Sequence, residues 1–151
     1  MVKVFQVIAM LDFFRILFFA KTVLLTPDPI NVLGDIDLRP SEPLTAITTG
    51  ASIEIDVSSM IKKPQQEGIV EFRRRVAEAF PPGSINAKLL GKDNRQVTLW
   101  YDGGVAFAKD AIFLGLYAGD GVPIDAEFDR VKLTSRVQLK SVRVSWRNAQ
   151  H

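Results

Sequence analysis

The feature that most constrains this chain lies between residues 131 and 147. Val131, Leu133, Val137 and Leu139 fall on odd positions, with Lys132, Thr134, Arg136, Gln138 and Lys140 opposite them. From Val142 the parity reverses, and Val144 and Trp146 follow on even positions with Arg143, Ser145 and Arg147 between. Period-two alternation is the mark of a strand buried on one face. A one-residue offset exchanges the faces, so a turn or bulge is expected near Lys140 and Ser141.

The same period recurs upstream. Ile53, Ile55 and Val57 alternate with polar neighbours, as do Val97, Leu99 and Tyr101. Lys92-Asp93-Asn94, Asp102-Gly103-Gly104 and Gly119-Asp120-Gly121 stand between apolar runs and read as turns. One helix is predicted from about Pro64 to Phe80. It carries Ile69, Phe72, Val76 and Phe80 on one face and is stopped by Pro81-Pro82-Gly83. The fold class is therefore mainly β. Seven or eight strands with one inserted helix suggest an Ig-like or Greek-key β-sandwich, with an open sheet packed on the helix as the alternative.

The first 25 residues differ in kind. Val4 to Leu25 holds 17 apolar residues in 22, long enough as a helix to cross a hydrocarbon core of about 30 Å. Asp12, Arg15 and Lys21 interrupt it. On an insertion scale the apolar residues supply roughly −5 to −9 kcal/mol, against about +2.5 to +3.5 for each central charge. Pairing of Asp12 with Arg15 three residues on, and snorkelling of Lys21, favour insertion. The reading is a single-pass transmembrane helix over 1–25, a stiff linker over 26–29 (Thr26-Pro27-Asp28-Pro29), and a β-rich domain over 30–151. A cleaved signal peptide and a buried or interfacial helix are the alternatives. Lys3 before the segment, and the acids Asp28, Asp35 and Asp37 after it, favour a cytoplasmic N-terminus and an extracytoplasmic domain. This architecture is similar in outline to that of membrane-tethered bacterial sandwich domains. The likeness extends to no diagnostic motif, and it implies an inner-membrane protein with a periplasmic domain.

Composition narrows the chemistry. Cysteine is absent and the single histidine is His151, so thiolate chemistry, a thiolate zinc site and an internal histidine base are excluded. With 19 Lys+Arg against 17 Asp+Glu, no global field points to nucleic acid. Asp120, Asp125, Glu127 and Asp129 cluster, but not at the spacing of a calcium loop. No phosphate-cradling glycine loop or nucleophile elbow occurs. The expectation is a non-enzyme without a cofactor.

Three sets of residues are candidates for binding. An intramembrane charge is a functional hypothesis by default, so Asp12 and Arg15 are expected to face an integral membrane protein subunit. Arg136, Lys140, Arg143 and Arg147 decorate the last strands and suit an anionic glycan or lipid headgroup, unless they merely keep a strand face solvated. Trp100, with Tyr101 and Asp102, is a candidate aromatic contact. Arg73-Arg74-Arg75 lies on the predicted helix, while Phe107, Phe113, Phe128 and Trp146 are expected in the core. The expected role is an accessory or scaffolding subunit of a membrane complex, in contact with the bilayer and with protein. A membrane-tethered module for an anionic ligand is the alternative.

Overall fold

The computed structural model describes residues 20–64 and 66–149. In chain order it contains β1 (Thr22–Leu24), β2 (Ile30–Leu38), β3 (Leu44–Thr45), β4 (Ser52–Asp56), α1 (Ile69–Ala79), β5 (Ile85–Leu90), β6 (Gln96–Ala108), β7 (Ala111–Tyr117), β8 (Glu127–Phe128) and β9 (Arg130–Arg147). The described chain is mainly β, with antiparallel pairing throughout and one helix.

β9 organises the main sheet. Its first half pairs with β2 and β5, so that Val131 stands between Leu38 and Leu89. Its second half pairs with β1 and β4, so that Trp146 stands between Val23 and Ile53. β4 pairs on to β7, β7 to β6 and β6 to β5. The pairings therefore close a ring, β9–β4–β7–β6–β5–β9, with β1 and β2 alongside β9. β3 and β8 form a separate pair. Closure leaves few strand edges open, and the edge strand β2 carries Asp35 and Asp37, charges that oppose pairing with another chain.

The reversal of parity is a bulge. Ile30 pairs with Val142 but Val32 with Leu139, so three residues of β9 answer two of β2. Ser141 has φ 52°, its N–H donates to Asn31 Oδ1 at 2.9 Å, and Ser59 Oγ donates to the carbonyls of Lys140 and Ser141 at 2.7 and 3.0 Å. Val131, Leu133 and Leu139 before it, and Val142, Val144 and Trp146 after it, all reach the core. α1 adds Phe72 and Val76, with Phe80 just beyond its end. The helix begins later than Pro64 because Gly68 is extended at its N-cap.

Two other expectations change. The end of the apolar run, up to Leu25, is not helical. Residues 22–24 form β1, and Leu25 is buried with its N–H on the Val144 carbonyl at 2.8 Å. Thr26, expected to open a linker, is buried, and its Oγ1 accepts the Val144 N–H at 2.9 Å. The open edge of β9 satisfies this backbone better than a free linker would. Asp12 and Arg15 lie outside the described residues, and among the described residues no helix is long and apolar enough to cross a membrane. The second change concerns Asp102-Gly103-Gly104, which is not a turn. It is a bulge inside β6, with Gly103 at φ 108°, and the strands reverse at Lys109 and Asp110 instead.

Candidate functional site

The basic residues of β9 are unequally available. On its first half, Arg130 meets Asp37 at 3.3 Å and Lys132 meets Asp35 at 3.5 Å, both acids contributed by β2. On its second half, Arg147 Nη1 meets Glu54 Oε1 at 3.1 Å, and Glu54 is only 8% exposed. Arg147 is thus held to a carboxylate. Arg136, Lys140 and Arg143 are exposed, and no ion pair holds them among the described residues. They lie on β9 on either side of Ser141, so the predicted anion-binding surface is reduced from four cations to three.

Asp35 shows how the acid flank is tuned. The Thr134 hydroxyl donates to its Oδ1 at 2.8 Å, and this bond, ahead of the Lys132 charge, holds the carboxyl below its ordinary range. A lowered native value contributes stability that is complete above the unfolded value and is lost as pH falls through the native one. Thr134→Val is expected to raise the Asp35 midpoint towards its ordinary value and shrink that window. A carboxyl-carbon NMR titration reads it directly, and an unmoved midpoint would refute the role given to Thr134.

Trp100 and Tyr101 part company. Trp100 is 46% exposed on the outer face of the ring, paired in register with Asn86 on β5 and Tyr117 on β7. Asn86 in turn faces Thr134, and Thr134 faces Asp35. A row of polar and aromatic residues therefore crosses five strands, with Trp100 within it. Tyr101 points the other way and is 1% exposed.

A groove absent from the sequence reading lies between α1 and the bulged part of β6. Its volume is about 480 Å³, and its lining includes Phe72, Arg73, Val76, Tyr101, Val105 and Phe107. Phe107, expected in the core, is 46% exposed, its ring 5.3 Å from that of Phe72. The Tyr101 hydroxyl has no hydrogen-bond partner among the described residues. Burial, with a smaller contribution from Asp102, pushes its pKa up to about 12, so it remains a donor at neutral pH. The arginine triplet also divides. Arg74 pairs with Glu71 and Glu78, and Arg75 pairs with Glu67 while lying over the Phe72 ring at 5.3 Å. Arg73 has no such carboxylate among the described residues. Two adjacent glycines within an apolar strand were the available signal, since they often mark a bulge.

The four carboxylates weighed for a cation are spread over the loop after β7, the approach to β8, β8 itself and the step into β9. Among the described residues, no group of three or more His, Cys, Asp or Glu is placed to hold a metal ion. No protein-family model, curated protein or solved structure matches the chain.

Proposed function

We propose that this chain is a non-catalytic accessory subunit that acts by contact, tethered to a membrane by the apolar run before Ala20. The β domain would lie on the extracytoplasmic side and bind protein. The observation that carries this reading is the outward apolar surface of α1. Val70 is 79% exposed, and the neighbouring Ile69 is exposed too. Large apolar side chains held outward on a rigid element are characteristic of contact surfaces. In finer terms the fold is read as a Greek-key sandwich whose two halves share the long β9.

The test uses the full chain taken from native membranes in mild detergent. It is expected to migrate as a larger assembly, and Val70→Glu is expected to release it as a monomer with an unchanged melting temperature. A wild-type chain that runs alone overturns the reading.

The alternative, a module for an anionic glycan or lipid headgroup, is favoured by Arg136, Lys140 and Arg143, which no ion pair holds among the described residues, and by the outward Trp100. Binding of that kind weakens as salt screens the charges.

A further inference from the structure

The groove beside α1 has chemistry that a flat protein contact does not need. Its polar side chains, the Tyr101 phenol and the Arg73 guanidinium, are both donors, and no carboxylate lines it. The phenol is buried without a partner among the described residues, a state that a native fold rarely leaves uncompensated. Arg73 alone of the triplet lacks a carboxylate there, whereas Arg74 and Arg75 are bound on α1 and just before it. The walls are apolar: Phe72, Val76, Val105 and Phe107. Two donors in an otherwise apolar lining complement a molecule with an anionic acceptor head and an apolar body.

We infer that the groove binds a free medium-chain acyl carboxylate. Its chain lies between the two phenylalanines, and its head accepts from Tyr101 Oη and the flexible Arg73. A volume of about 480 Å³ sits in the lower part of the range for ligand sites and suits one short chain better than a two-chain lipid. Bonds from a charged donor or to a charged acceptor are the strong ones, so a neutral alcohol of equal length is a much poorer ligand.

The test keeps the full chain in a sterol-based detergent, which has no acyl chain of its own. It is photolabelled with a diazirine analogue of decanoate, and the labelled residues are mapped by mass spectrometry. Label is expected on α1 and on residues 101–107, displaced by decanoate at least tenfold more effectively than by decanol. Tyr101→Phe and Arg73→Gln are each expected to weaken that displacement about tenfold. Arg73 is exposed on the helix, so its variant folds even if the other does not. Val70→Glu, outside the groove, is expected to leave labelling unchanged, which separates this result from the accessory role. Equal competition by decanol, or label confined to residues 1–19, overturns the inference. So does label on the groove from a two-chain phospholipid in phosphatidylcholine vesicles but not from the free acid.

Discussion

Deletion of Ser141 is expected to lower stability by about 1–3 kcal/mol without turning the strand over. The residue is the extra one in β9, and its removal would restore simple alternation through the bend. Leu139 and Val142 would then stand two apart, so Val142, Val144 and Trp146 stay on the core face and the arginines between them stay outside. What is lost is the bulge, with the bonds its backbone makes to Asn31 and Ser59, each worth about 0.5–1.5 kcal/mol. Against a net domain stability of about 5–15 kcal/mol the fold survives. Ser141→Gly is the control. The left-handed φ of 52° disfavours a residue with a Cβ, and the backbone bonds to Asn31 and from Ser59 survive the change. That variant is expected within about 1 kcal/mol of wild type, on the stabilising side. Urea unfolding followed by circular dichroism compares the three. A deletion variant that loses its cooperative transition would show that Ser141 is not merely the extra residue of the bulge.

Trp146→Ala is expected to lower stability by about 3–5 kcal/mol, the range for removing a large aromatic from a packed core. The indole is 1% exposed between β1 and β4. Its Nε1 has no hydrogen-bond partner among the described residues, so Trp146→Phe forfeits packing but no polar bond and is expected to cost clearly less. The damage should be greatest at β1, which meets the main sheet only through β9. Amide exchange at Leu24 and Leu25 is therefore expected to quicken more than exchange at Leu89. A loss below about 1 kcal/mol would mean that the core closes over the gap, against the usual partial relaxation.

Residues 131–147 were legible because periodicity reports which way a side chain faces. They revealed the strand, the inward set and the bulge. Periodicity carries no information about which edges pair, and so the ring through β9 was not legible. The bridge between Arg147 and Glu54 spans 93 positions, and no local pattern announces it. Arg147 consequently looked free. β1 was hidden for another reason: Thr22, Val23 and Leu24 continue an apolar run, and a short strand within such a run cannot be told from helix by composition alone. At Phe107 an apolar residue lies beyond an unrecognised bulge, where the inward alternation no longer applies. The groove lies beside that same bulge, lined by Gly103, Gly104 and Val105 on β6 and by Phe72 and Val76 on α1.

Synthesis runs from the amino terminus, and β9 comes after every strand it holds. At a translation rate of about 5–20 residues per second, the interval between the appearance of Leu38 and that of Arg130 is on the order of five to twenty seconds. Throughout it β1 and β2 have no template, and β4 and β5 each lack one neighbour. The nascent polypeptide therefore carries unpaired strand edges until β9 has emerged.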